Sequence, residues 1–169
     1  MFSTSKICRA GIIASVYFVL TYFLQAISFG PFQLRVAEGL TILPLFFVES
    51  VPALFIGCFL ANLLFGFAFY DFTIGAFATL ISALFTYYIG KLIKNKHLKF
   101  IVGAIPPILV NALLIPIVIW LSGAEQFSYL IQVALVGGGQ AVAVYFIGSA
   151  VYYPLAKLKE KHPSSTIFR

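Results

Sequence analysis

The chain has 169 residues, 62% hydrophobic and 9% charged, with a formal net charge of +6 and a mean hydropathy of +1.04. That is too little charge to cover a water-facing exterior, so a soluble globular protein is excluded, and an integral membrane protein with no room for a separate soluble domain is implied. Nucleic acid is a poor match for the positive balance, because the basic residues stand at the ends of apolar runs and not on one polar face.

One bilayer crossing takes about 20 apolar residues as helix. Reading the apolar runs against their punctuation predicts an all-α protein with six transmembrane helices near residues 10–29, 36–49, 51–69, 72–92, 100–121 and 128–154, all in one domain over 1–169. Lys6 and Arg9 precede the first run and "AIS" (Ala26 to Ser28) resembles a cleavage site. The run is longer than the roughly 7–15 residues of a signal core, so a retained span is expected. Next comes "GPFQLRVAEG", where Pro31 favours a turn and Arg35 and Glu38 stand three residues apart. The second span is short, and "ESVP" (Glu49 to Pro52) leaves almost no connection to the third, which predicts a tight helical hairpin. Cys58 lies deep in the third span and Cys8 before the first, so both are expected as free thiols.

Asp71 precedes "FTIGA" at the start of the fourth span and reads most simply as a helix N-cap. Lys91, Lys94, Lys96 and Lys99 separate spans four and five, and Lys157, Lys159 and Lys161 follow span six. With six spans these basic clusters and Lys6 and Arg9 fall on one side, which the positive-inside rule makes cytoplasmic, together with both termini. Arg35, Glu38, Asp71 and Glu125 then lie outside. Residues 162–169 read as a frayed cytoplasmic end.

Polar side chains inside apolar spans carry the most information, because lipid offers them no partners. They are Asn62, Thr79, Ser82, Asn111 and Gln140. At about 1.5 Å per residue, Asn111 and Gln140 come to one depth, so a cavity open to the outside and lined by spans four, five and six is geometrically available. Thr79 and Ser82 are expected to bond back to their own helix carbonyls. For Asn111 and Gln140 two readings stand, helix-to-helix bonding and ligand contact. The prolines of "PPILVNALLIP" (Pro106 to Pro116) and the bare backbone of "GGGQ" (Gly137 to Gln140) favour the second. Glu38 and Arg35 likewise could pair with each other or meet a ligand, since a carboxylate beside an apolar cavity matches the paired N–H donors of a guanine-like base. There is no Lys-Ser/Thr after the glycines to make a nucleotide loop, no nucleophile–base set for an enzyme and no zinc pattern around His97 and His162. Neither cofactor nor metal is expected.

The stretches "FQLRVAEGLTILPLFF", "VPALFIGCFLANLLFG", "YDFTIGAFATLISALFTYYIGK" and "PPILVNALLIP" together resemble the QueT-type family of queuosine-precursor transporters. The likeness runs from about Ala10 to Tyr152 in consistent order. It implies the substrate-binding (S) component of an energy-coupling-factor importer in a bacterial-type plasma membrane. Such a component captures a 7-deazaguanine, such as the 7-cyano or 7-aminomethyl base, from outside. A membrane coupling subunit and two ATPases are the implied partners, and ATP hydrolysis would be theirs. The family's R-x-x-E-x-L falls on Arg35, Glu38 and Leu40, its ANLL on Ala61 to Leu64, and its P-x-L-x-N-A on Pro107 to Ala112. By that carry-over the substrate-binding candidates are Arg35, Glu38, Asn62, Asp71, Asn111 and Gln140. Ala10 and Ala14 match the small-xxx-small element for docking on the coupling subunit. The resemblance implies glutamate after the span-six glycines, and here that position is Gln140, which leaves the choice of deazaguanine open. The alternative is the same fold used as a solitary carrier or channel for another small molecule.

Overall fold

The computed structural model describes residues 3–29, 33–65, 69–124 and 126–162. The features expected at Pro31, Glu125 and residues 163–169 lie outside them. The described chain is helical throughout: α1 (Thr4–Phe23), α2 (Gln25–Ser28), a 3-10 helix (Val36–Leu45), α3 (Ser50–Phe65), α4 (Ala76–Leu92), α5 (Lys96–Gly103), α6 (Ile105–Leu121), α7 (Tyr129–Ala141) and α8 (Gly148–Lys161). One π turn, Asp71–Gly75, leads into α4 and another, Val142–Ile147, joins α7 to α8.

Four helical stretches are long and apolar enough to cross a membrane, Thr4–Phe23, Asp71–Leu92, Lys96–Leu121 and Tyr129–Lys161, while Val36–Leu45 and Ser50–Phe65 are shorter. Polarity is arranged opposite to that of a water-soluble protein. Leu92 is 80% exposed and Phe146 79%, whereas Thr41, Ser82 and Thr86 are fully buried. Apolar side chains outside and satisfied hydroxyls inside suit a lipid surround, where unpaired polar groups are costly. Ser82 donates to the Ala78 carbonyl at 2.8 Å, and Thr86 crosses to the Gly103 carbonyl at 3.0 Å.

The expected span at 36–49 is instead a ten-residue 3-10 helix followed by a four-residue turn, Phe46 to Glu49. The tight connection to α3 is as the sequence suggests. A 3-10 helix is slimmer than an α-helix and rises about 2.0 Å per residue, so ten residues reach about 20 Å. Its slimness matches its surroundings. A Cβ on Gly148 would stand 3.2 Å from the Gly39 carbonyl oxygen, and one on Gly90 would stand 2.9 Å from Leu45 Cα. The 3-10 helix thus runs through the middle of the bundle, and one side of its apolar surface joins Ile13, Tyr17, Leu54 and Ala61 in a core with α1 and α3. The other side, through Ile42 and Leu45, packs with Phe100, Val144 and Tyr152.

Basic residues from distant parts of the sequence gather at one end. Lys94, Lys96, Lys99 and Lys159 line a cleft with Phe46 and Tyr152, and Lys96 pairs with Glu160 at 3.2 Å. Arg9 meets Glu49 at 2.8 Å and lies over the Phe47 ring. Cys8 and Cys58 are both free.

The α1–α3 contact depends on Gly57, where an added Cβ would come within 2.9 Å of the Ala14 carbonyl oxygen and 3.0 Å of Tyr17 Cβ. Backbone sits on one side, so little can yield. Gly57→Leu is therefore expected to destabilise the protein by about 1–3 kcal/mol through overpacking. Thermal unfolding in detergent measures it, and an unchanged midpoint would show that α1 moves freely on α3.

Candidate functional site

Glu38 occupies the first turn of the 3-10 helix and is 1% exposed. Its carboxylate gathers side chains from three helices. The Tyr17 hydroxyl of α1 donates to Oε1 at 2.5 Å. Gln140 Nε2 of α7 donates to Oε2 at 3.0 Å, and Asn111 Nδ2 of α6 approaches the same oxygen at 3.4 Å. An ionised carboxylate offers about four acceptor sites, so three neutral donors leave capacity for another.

Arg35 immediately precedes the 3-10 helix, and the bond from Glu38 N–H to the Arg35 carbonyl, 3.0 Å, closes its first turn. Arg35 itself is extended, with φ of −88° and ψ of 99°, so its side chain comes to the cavity from the entrance of the helix. Glu38 and Arg35 line the same cavity, with Gln33, Asn111, Ile115, Val136 and Gln140. Its volume is about 10 Å³, room for about one water. Arg35 and Glu38 form no ion pair with each other. The guanidinium lies over the Phe29 ring, 4.7 Å from its centroid. Arg35 is 5% exposed, and its Nε is buried without a hydrogen-bond partner. Gln33 reaches the cavity through a left-handed backbone with φ of 46°.

Four of the expected site residues thus converge: Arg35, Glu38, Asn111 and Gln140. Asn62 and Asp71 do not line that cavity and belong to an adjoining cluster around Cys58, from which Asp71 and Cys58 act electrostatically on Arg35. Asn62 Nδ2 donates to the Asp71 carbonyl at 3.0 Å and to Cys58 Sγ at 3.3 Å. Thr79 joins them through Cys58 Sγ at 3.3 Å and bonds back to the Gly75 carbonyl at 3.2 Å. This cluster fastens α3 to the π turn, and Asn62 Oδ1 is buried there without a partner. Asp71 does not cap the helix, because Phe69 and Tyr70 are already helical before it. The fourth span sends no side chain to the Glu38 cavity, whose walls come from the 3-10 helix, α6 and α7.

The glycines before Gln140 also lie elsewhere. A Cβ on Gly137 would stand 3.2 Å from Ala112 Cβ, so that glycine lets α7 approach α6. Gly138 and Gly139 line a separate groove with Leu34, Leu135 and Val142. A roomier groove of about 470 Å³ between α6 and α7, edged by Trp120, Phe127, Tyr129 and Gln132, carries no charged side chain. Ala10 and Ala14 are half-buried and pack against the α1–α3 core.

Sequence reading missed Tyr17 and Gln33. The first span carries two phenols, Tyr17 and Tyr22, and a hydroxyl among apolar residues signals a partner when it is buried, as Tyr17 is. Gln33 gave only an amide two residues before Arg35.

A family model described as "QueT transporter" matches residues 7–157. A protein of Lactococcus lactis subsp. cremoris (strain MG1363), described as "Queuosine precursor transporter QueT", is 38% identical over 80 residues, 46% of this chain and 47% of the relative. The match therefore spans about half of each protein. No solved structure matches the chain at a significant level.

Proposed function

The chain belongs to the QueT transporter family, and from that premise we propose that it is the substrate-binding component of an energy-coupling-factor importer for a queuosine precursor. It captures a 7-deazaguanine, such as the 7-cyano or 7-aminomethyl base, at the Glu38 cavity. A membrane coupling subunit and two ATPases then drive uptake. The observation that carries this reading is the buried Glu38 carboxylate, set beside Arg35, whose Nε lacks a hydrogen-bond partner, in a cavity walled by amides and apolar side chains. Such a site recognises a flat, polar-edged molecule by orientation.

In this proposal all six apolar segments cross the plasma membrane, the 3-10 helix and α3 as a short hairpin. The gathering of Lys94, Lys96, Lys99, Lys159 and Arg9 toward one end supports placing that end, and both termini, in the cytoplasm. Arg35, Glu38, Asn111 and Gln140 make direct contact with the base. Asn62 of α3 and Asp71 of the π turn before α4 border the site.

Titrating the purified protein by thermal shift with guanine, both precursor bases, queuine and riboflavin tests the reading, since a specific binder stabilises the folded state by mass action. The precursor bases are expected to give the largest shifts; stabilisation by riboflavin alone would overturn it. Co-purification should recover the ATPases. Uptake into vesicles without them would make the chain a solitary carrier.

Ala10 and Ala14 form the proposed docking strip. Ala14 also sits against Gly57, so Ala10→Leu is the cleaner probe. It is expected to reduce uptake by at least tenfold by blocking close helix approach, with base affinity in the isolated protein within about twofold of wild type. Equal loss of both would place Ala10 in packing within the subunit.

A further inference from the structure

Opposite charges three residues apart in a buried cavity would normally pair, because an isolated buried charge is costly. Here they do not. Glu38 is held by three neutral donors, and Arg35, 5% exposed, rests on Phe29 with Nε unpartnered. Both line the same cavity. This arrangement lacks a group that gives an acceptor to Arg35 and donors to Glu38 at once.

We propose that Arg35 and Glu38 together read the hydrogen-bonding edge of the base, Arg35 taking its 6-carbonyl oxygen and Glu38 its adjacent N1–H and 2-amino donors. The inference rests on the reading of the chain as a deazaguanine carrier and assigns each atom of that edge to a residue. The two fixed charges cancel, so the pair suits a neutral ring. A simple cation would satisfy Glu38 but be repelled by Arg35, and an anion would meet the reverse. An adenine-type edge presents a donor where Arg35 needs an acceptor. Among flat bases, a guanine edge offers the contiguous acceptor, donor and donor that one cation beside one carboxylate can read.

The cavity of about 10 Å³ cannot hold a base as it stands. Gln140 and Asn111, bonded to Glu38 Oε2 at 3.0 and 3.4 Å, hold the place of the base's own donors. Binding displaces both amides and moves α6 and α7 outward from the 3-10 helix, while Tyr17 keeps its bond to Oε1. Arg35 gains the acceptor its Nε lacks.

The test crosses two ligand changes with two protein variants. Calorimetric titrations use 7-cyano-7-deazaguanine, its analogue without the 2-amino group and its 6-thio analogue, in which a weaker acceptor replaces the oxygen while N1–H is kept, on wild type, Arg35→Met and Glu38→Gln. Wild type should lose at least tenfold in affinity with the amino deletion and at least fivefold with the thio exchange, the scale of a charge-assisted hydrogen bond lost or weakened. Arg35→Met should become indifferent, within twofold, to the thio exchange yet keep its penalty for the missing amino group. Glu38→Gln should show the converse. Full discrimination against the 6-thio base in Arg35→Met overturns the assignment. Where the methionine variant does not fold, Arg35→Lys must reduce the 6-thio penalty at least twofold, and an unreduced penalty overturns the assignment equally. Failure of the parent base to bind wild type at all sinks the deazaguanine reading itself, an outcome distinct from a base that binds without this pattern.

Discussion

Glu38→Gln is expected to weaken binding of the precursor base by tenfold or more and to lower the stability of the ligand-free protein. The carboxylate offers two charged oxygens to Tyr17, Asn111 and Gln140. Glutamine offers one neutral oxygen and turns an NH₂ toward groups that were all donating. Asn111 and Gln140 can rotate their amides, and the Tyr17 hydroxyl can accept, so the fold survives. The charge does not. Each hydrogen bond to a charged group is worth about 1.5–3 kcal/mol, which converts to about 10- to 150-fold in affinity for one lost contact. Arg35 also loses the electrostatic balance of Glu38 and keeps that of Asp71, which adds to the loss of stability. Titration with the precursor base and thermal unfolding of the ligand-free variant read the two effects separately. Unchanged affinity with reduced stability would make Glu38 a structural hub that the base never touches.

Much of this site was legible in the sequence because polar residues are rare inside apolar runs and each must go somewhere. Asn111 and Gln140 could be brought to one depth by counting along antiparallel helices, and the structure places both on a single oxygen of Glu38. Counting gives depth but not direction around a helix. Thr79, at a plausible depth, bonds back to the Gly75 carbonyl as expected and also meets Cys58, off the cavity, and Asn62 faces the π turn at Asp71. The 3-10 helix was not legible either. Apart from Glu38 and Thr41 its residues carry no polar side chain, so periodicity cannot separate it from a short α-helix. What selects it is the narrow space left by Gly90 and Gly148, glycines contributed by helices far along the chain. The meeting of Arg35 and Glu38 in one cavity, on which its chemistry turns, depends on that tertiary constraint and on the extended backbone at Arg35, not on the local motif alone. The π turn directly after Gln140 had no sequence signal at all.

Gln140→Glu is expected to shift ligand preference toward the aminomethyl base by about 1–3 kcal/mol, one charge-assisted hydrogen bond in a buried site. In the wild type, Gln140 donates to Glu38 at 3.0 Å, so its amide both satisfies the carboxylate and adds no charge. Arg35 and Glu38 then supply one charge each, and the cavity favours a neutral substituent such as the cyano group. Glutamate at this position sets a second carboxylate where the amide stood, and two carboxylates at hydrogen-bond distance require a proton or a cation between them. In the bound state, where Glu38 faces the N1–H and 2-amino edge, the second carboxylate is displaced from Glu38 and is released to meet the ammonium of the aminomethyl base, a cation brought by the ligand. The same repulsion should leave the ligand-free variant less stable than wild type and restore that stability most strongly with the aminomethyl base. Titrating both proteins with the cyano and aminomethyl bases at one pH compares the two preference ratios directly. A ratio identical in both proteins would mean that the 7-substituent points away from Gln140, whose part is then confined to holding Glu38 while the cavity is closed.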